Sequence, residues 1–302
     1  MKHWYSYAAL LVAFLVVPGC AEQRERFARH PDGERRREAP RAEFALAEPT
    51  SCFMGEPQSS AFADVVRIER EGYLVGFSRE THTPIWSCYR LFDVDNDAPP
   101  RPNKKFDTYS DGVITVTHED YTNSGYDRGH LAPSSGIGKC YGVAAQKGTF
   151  TTTNICPQHP GLNQRCWERF ESEESDWYAD KFGEIWVVTG PIYSDSCIEL
   201  MTDVRVPEAF FKVVVAKIDG DWSMLGIIMT NERTNEAPIS DFVHSVDEIE
   251  ELAGIDLFAE LPDDVENTLE ANRDPSPEWN VGWVLRPVYP GGARPIQIRE
   301  CD

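Results

Sequence analysis

Tyr126-Asp127-Arg128-Gly129-His130-Leu131-Ala132-Pro133, with the later run Leu162-Asn163-Gln164-Arg165-Cys166-Trp167-Glu168-Arg169-Phe170-Glu171, is where the reading of this chain turns. The first stretch is extended in character. Strand side chains alternate, so Arg128 and His130 point to one side. A histidine accepts a proton near neutral pH, and an arginine can hold a phosphate through two parallel hydrogen bonds. The second stretch follows His159-Pro160-Gly161 and reads as a helix from Leu162 to Asp180. On an α-helix Asn163, Trp167 and Glu171 share one face, with a rise of about 6 Å per step. An amide oxygen and a carboxylate so placed suit a hydrated Mg2+, which takes few protein oxygens and keeps several waters. Each stretch also has a plainer explanation. Arg-Gly-His can be a surface turn, and Asn163 can cap a helix whose Trp167 packs in the core.

The charge bears on both explanations. The 302 residues carry 29 Lys and Arg against 50 Asp and Glu, a formal net charge of -21. Residues 21–48 are balanced, with seven Arg and seven acidic residues, so the acidity belongs to residues 49–302. Phosphate binding rests on cations displacing counterions, so an acidic body is a poor general polyanion binder. Acting on nucleic acid would require a local device, and a bound divalent metal is one. Arg90, Lys104, Lys105, Arg128, Lys139, Lys147, Arg165 and Arg169 are expected to form a local basic strip.

Between the two stretches lies Thr153-Asn154-Ile155-Cys156-Pro157-Gln158. The order DRGH-LAP, then TNxxPQ, then NxxxWxxxE resembles the DNA/RNA non-specific endonuclease family, the endonuclease G-like ββα-metal nucleases. Thr83-Pro84-Ile85-Trp86 with Tyr89-Arg90-Leu91, and Val188-Thr189-Gly190-Pro191-Ile192-Tyr193, resemble further family segments. So do Val206-Pro207-Glu208-Ala209-Phe210-Phe211-Lys212-Val213 and Ser245-Val246-Asp247-Glu248-Ile249-Glu250. The resemblance covers about residues 60–270.

That resemblance implies an α+β fold with a central, mostly antiparallel sheet flanked by helices. It implies a metal-dependent endonuclease acting on DNA and RNA with little sequence preference and leaving 5′-phosphates. It implies His130 as general base and Asn163 as the protein ligand of one Mg2+, for which Mn2+ can substitute. Glu171 matches the acidic residue that acts on the metal through water, Arg128 the arginine on the phosphate, and Asn154 a supporting residue near both. Asp127 is expected to order the loop. Where the family has an arginine before an aromatic, this chain has Arg101-Pro102-Asn103-Lys104-Lys105-Phe106. By spacing Lys104 takes that place on the substrate phosphate, with Arg101 close by. A homodimer is compatible with the resemblance.

The remaining organisation is coarser. Lys2 and His3 precede an apolar stretch from Tyr5 to Val17 that ends in Val17-Pro18-Gly19-Cys20. This is the layout of a signal peptide over 1–19. It resembles a bacterial lipoprotein cleavage box, with Cys20 lipidated and 20–48 as a tether. The chain is then expected to be exported and anchored to the cell envelope, with 49–302 as one nuclease domain ending in a Pro/Gly-rich tail. Seven further cysteines leave an odd one, and in an exported protein most of the rest are candidates for disulfides. Their spacing does not suit structural zinc. Short β-rich runs from residue 65 onward, interrupted by few helices, agree with α+β. Two other readings remain open here: a nucleic-acid-binding surface lipoprotein without catalysis, and a metal-dependent phosphodiesterase for small phosphoesters.

Overall fold

The computed structural model describes residues 50–232, 237–282, 284–285 and 299–300. The signal-type segment, Cys20, the tether and most of the Pro/Gly-rich tail lie outside the described residues. Seven apolar runs pair into one sheet. They are β1 (Val65–Arg70), β2 (Tyr73–Ser78), β3 (Thr83–Phe92), β4 (Glu184–Ile192), β5 (Ala209–Ile218), β6 (Asp221–Thr230) and β7 (Val243–His244). Their spatial order is β7-β6-β5-β4-β3-β2-β1, and every neighbouring pair is antiparallel. The fold is α+β, with this sheet at its centre.

Strands β2, β3, β4 and β5 are buried along nearly their whole length. Continuous burial means that both faces are covered. One face carries helix α1 (Ser134–Gly148) and helix α2, residues 160–182. There Trp167 packs on Phe210 with ring centroids 5.5 Å apart. The other face carries helix α3 (Val246–Ala253), whose Ile249 covers Gly226 of β6, and an aromatic cluster of Phe53, Trp186, Trp222 and Phe258. Helix α4 (Asp263–Leu269) follows it.

The sequence reads Val113–Thr117 and Phe150–Thr153 as strands, and the structure corrects both. Val113–Thr117 yields a strand of only Thr115–Val116, because Asp111 Oδ1 accepts the amides of Val113 and Ile114 at 2.9 and 3.0 Å and turns the chain. Phe150–Thr153 is not a strand. Thr152–Asn154 is a 3-10 turn, and extended pairing starts at Ile155. Helix α1 has no apolar period that announces it, since Gly136, Gly138, Gly142 and Gly148 dilute it, and Gly142 at φ 88° kinks it. Cys197 is disulfide-bonded. Cys52, Cys88, Cys140 and Cys156 are free thiols, and of these four all but Cys140 are buried and pack as small apolar residues.

Candidate active site

Asp127–His130 pairs antiparallel with Ile155–Gln158, His130 facing Ile155 and Arg128 facing Pro157. This two-stranded ribbon leads directly into α2, giving a ββα unit on one face of the sheet. Gly129 is required by close approach. A Cβ there would lie 2.5 Å from the Cβ of Gln158 and 2.2 Å from its Oε1, and Gln158 is itself buried. Gly129→Ala is expected to destabilise the fold by about 1–3 kcal/mol, the usual range for overpacking. Urea unfolding of the variant checks this, and a change near zero would contradict it.

Asn154 fixes the turn after His130. Its Oδ1 accepts from Ala132 N at 2.9 Å, and its Nδ2 donates to Ala132 O at 3.0 Å and Thr149 O at 3.2 Å. Its backbone carbonyl accepts from Leu131 N at 3.0 Å. The side chain is fully buried, with both amide atoms bonded to backbone. The structure therefore places Asn154 behind the cleft as a positioning residue, not on its wall.

Helix α2 starts where it does because Pro160 tolerates a first-turn position and His159 caps it. His159 Nδ1 accepts from Gly161 N at 2.9 Å, and its carbonyl accepts from Leu162 N and Asn163 N. The first turns, Leu162–Trp167, are π-helical. The wider turn alters which residues share a face. Asn163, Gln164, Glu168 and Glu171 all line one cleft, while Trp167 turns into the core and donates from Nε1 to His130 O at 3.4 Å. Asp127 Oδ2 accepts from Asn163 Nδ2 at 3.0 Å and Gln164 Nε2 at 2.5 Å. That leaves the Oδ1 of Asn163 as its free atom. Gln164 and Glu168 stand on one α-helical stripe with Glu171, a signal that the motif NxxxWxxxE does not include.

The cleft encloses about 680 Å3 and brings together Arg101, Arg128, His130, Asn163 and Glu171. His130 is 7% exposed, its ring held between Phe106 (5.3 Å) and the edge of Phe150 (5.0 Å). Its Nε2 has no hydrogen-bond partner in the protein. Burial, with the charge of Arg101 added, pushes its pKa down to about 3, so the ring is neutral and able to accept a proton. Arg128 donates through Nε and Nη2 to His118 O (3.2 and 2.6 Å) and through Nη2 to Thr122 Oγ1 (2.7 Å). Its remaining nitrogen, Nη1, is available to an anion. Glu171 Oε1 is enclosed and also without a partner. Burial lifts the pKa of Glu171 to about 8, with Lys212 opposing and Glu174 and Glu168 reinforcing.

Two sequence expectations are revised. Lys104 does not line the cleft. Its Nζ is engaged by Asp107 at 2.8 Å and the carbonyl of Lys147 at 3.4 Å. Arg101 reaches the cleft instead, its guanidinium 5.2 Å from the Phe150 ring centroid. The basic strip does not assemble either. Of its eight members only Arg128 lines the cleft. Lys105 pairs with Glu119, Lys139 with Asp176 and Asp180, Arg90 with Glu184 and Arg169 with Glu173. Two arginines thus face three carboxylates, Asp127, Glu168 and Glu171. A cleft so balanced can attract a polyanion only once its acids hold a cation. The donors fit a hard metal: an amide oxygen and a buried, unpartnered carboxylate oxygen face the same space as the imidazole.

Behind the cleft is a network that motif spacing does not reveal. Lys212, Glu174 and Tyr89 are wholly buried. Lys212 Nζ lies 3.0 Å from Glu174 Oε1 and donates to Tyr89 Oη at 2.7 Å, while Tyr89 Oη donates to Glu174 Oε2 at 2.7 Å. The same ammonium sits 4.8 Å from the Trp167 ring centroid. Lys212→Met would strand a buried carboxylate beside Glu171. The expected loss is about 3–5 kcal/mol, with most of it recovered in the Lys212→Met/Glu174→Gln pair. Urea unfolding of both variants checks this, and equal losses in the two would contradict it.

Comparison with known proteins gives concordant results. A model of the DNA/RNA non-specific endonuclease family matches residues 54–264. The chain is 28% identical over 238 residues to a nuclease of Serratia marcescens, covering 76% of this chain and 87% of that protein. It is 27% identical over 203 residues to mitochondrial endonuclease G of Homo sapiens, covering 62% and 67%. Among solved structures it superposes on a chain of an EndoG/EndoGI complex, described as showing the mechanism of EndoG inhibition. The TM-score is 0.60 at 25% identity, covering 72% of this chain and 95% of that one.

Proposed function

The chain belongs to the DNA/RNA non-specific endonuclease family and is a nuclease, and on that premise we propose that it is a Mg2+-dependent endonuclease that cleaves DNA and RNA alike and leaves 5′-phosphates. The observation that carries this reading is the cleft itself. A neutral, buried His130 with an unpartnered Nε2 shares it with Asn163, Glu171 and two arginines.

Asn163, through its Oδ1, and Glu171, through water, would hold the metal. Bound there, Mg2+ supplies charge neutralisation at the phosphate and at the departing 3′-oxygen. His130 accepts the proton of the attacking water at Nε2, and its burial keeps it in the form that can do so. Arg128 offers Nη1 to a phosphate oxygen, while its other donors hold it against His118 and Thr122. Arg101 brings a second positive charge to the same cleft and favours the neutral imidazole. Asp127 orients Asn163 by accepting from its Nδ2, so the amide oxygen faces outward. Nothing in this set reads a base edge, and phosphate contacts carry no sequence information.

Attack on phosphorus with loss of the 3′-oxygen fixes the ends of the products. DNA fragments should accept label from polynucleotide kinase only after phosphatase treatment. Direct labelling of untreated fragments would show 5′-hydroxyls and overturn the assigned direction of attack. We further propose that the chain is exported and anchored through a lipid on Cys20, supported by the sequence of residues 1–20. Mass spectrometry of the mature N-terminus tests it, and an unmodified Met1 would refute it.

A further inference from the structure

The opposite face of the sheet carries a second group of acids that the nuclease chemistry does not use. Asp247 and Glu250 stand on α3, and Glu270 follows α4. One carboxylate oxygen from each lies within 4.8 Å of the others. The group is separate from the cleft, since none of the three lines it. Glu270 also lies beyond the stretch 54–264 that matches the family model.

Glu270 is the observation that turns a cluster of acids into a site. It is 2% exposed, and its Oε1 has no hydrogen-bond partner. Its backbone carbonyl is committed to the start of α3, accepting from Val246 N at 2.9 Å and Asp247 N at 3.3 Å. This fixes the residue against the two other acids. Glu250 Oε1 is engaged by Leu257 N at 2.7 Å, which locks that carboxylate in place and leaves its second oxygen. No Lys or Arg among the described residues pairs with any of the three. Asp256 and Glu266 add further negative charge from nearby. Burial and mutual repulsion lift Glu270 to about 9 and Glu250 to about 7, as crowded acids without a counter-charge must be. A buried carboxylate left unpaired is costly, and a cation removes that cost.

We propose that Asp247, Glu250 and Glu270 form a structural Ca2+ site that ties α3 to the segment after α4. With Glu250 Oε1 engaged, the three carboxylates offer up to five oxygens, and water can complete the shell. A mixed one- and two-fold set of this kind suits the 6–8 oxygens and flexible geometry of Ca2+ better than the strict octahedron of Mg2+. One carboxylate at the surface, one half-buried and one buried give the ion an entry side and a closed side.

The test is thermal unfolding of the full chain in EDTA and in CaCl2. Wild type and Asn163→Ala are expected to gain about 5 °C or more at Ca2+ on the order of a hundred times Kd. Glu270→Gln should gain nothing. In EDTA it should melt no lower than wild type, because a neutral amide replaces a carboxyl that burial and its acidic neighbours already keep protonated. Should Glu270→Gln fail to fold, Asp247→Asn takes its place; Asp247 is exposed, and its variant should lose most of the gain. Calorimetric titration of Asn163→Ala with CaCl2 should give one site. The proposal is overturned if wild type gains nothing, if Glu270→Gln or Asp247→Asn gains as much as wild type, or if Asn163→Ala loses the gain. The first result would mean that the acids share protons. The last would mean that Ca2+ acts through the cleft.

Discussion

Replacing His130 with alanine is expected to lower the rate of phosphodiester cleavage by about 10²–10⁴-fold, the range that a positioned general base contributes. Metal should not restore it, because the lost atom is a proton acceptor. The fold should survive, since Trp167 and Leu131 hold the ribbon through backbone atoms of His130 and Asn154 that alanine leaves in place. The same residue leaves a signature in stability. The folded imidazole sits at about 3 and the unfolded one near 6.5, so between these values the unfolded chain binds a proton that the folded chain does not. Stability from this group is complete above about pH 6.5 and is lost as pH falls toward 3, at up to about 1.4 kcal/mol per pH unit. His130→Gln removes that component. Urea unfolding at pH 5 and pH 7 should show wild type losing about 1–2 kcal/mol more than the variant. Equal losses would mean that His130 is not held neutral by burial.

Asn163→Ala should cost on the order of 10²–10⁴-fold in rate at a fixed low Mg2+ concentration, because the charge stabilisation supplied by a bound metal amounts to several kcal/mol. Its signature differs from that of His130→Ala. Raising MgCl2 should recover part of the loss, since Glu171 remains. Asp127→Asn should behave as a milder version, at about 10–100-fold in metal affinity, because it only orients Asn163. Activity measured against MgCl2 for the three variants separates the roles. A flat response of Asn163→Ala to metal would contradict its assignment.

The sheet was legible because its strands are long apolar runs whose ends fall at turn residues, Asp219-Gly220 between β5 and β6 being one. The site was legible where chemistry is bound to a fixed order of residues, as in Arg128-Gly129-His130 and Asn163 to Glu171. It was not legible where the backbone departs from a regular period. An α-helical period sets Trp167 between Asn163 and Glu171 on one face, but where the turn is π-helical Trp167 goes into the core and leaves the cleft to Asn163, Gln164, Glu168 and Glu171. Lys104 and Arg101 show a second limit. Spacing favours Lys104, but Asp107 and the carbonyl of Lys147 hold it elsewhere, and only the folded chain reveals that competition. Lys212, Glu174 and Tyr89 come from three separated elements, and nothing local marks them as partners. Asn154 was found by motif, yet its place is set by three backbone bonds rather than by substrate.

The balance of charge in the cleft also changes how substrate attraction is understood. With most of the expected basic strip tied up in ion pairs, a metal becomes the main local source of positive charge beside Arg101 and Arg128. The dependence of cleavage on metal is therefore the core of the account.

The most direct measurement is digestion of plasmid DNA and single-stranded RNA by the purified chain, with MgCl2, with EDTA, and with EDTA followed by excess MgCl2. His130→Ala runs in parallel. Both polymers are expected to be degraded with Mg2+, spared in EDTA, attacked again when Mg2+ is returned, and left nearly intact by His130→Ala. Folded wild-type protein that binds DNA but leaves it whole with Mg2+ and with Mn2+ would contradict it.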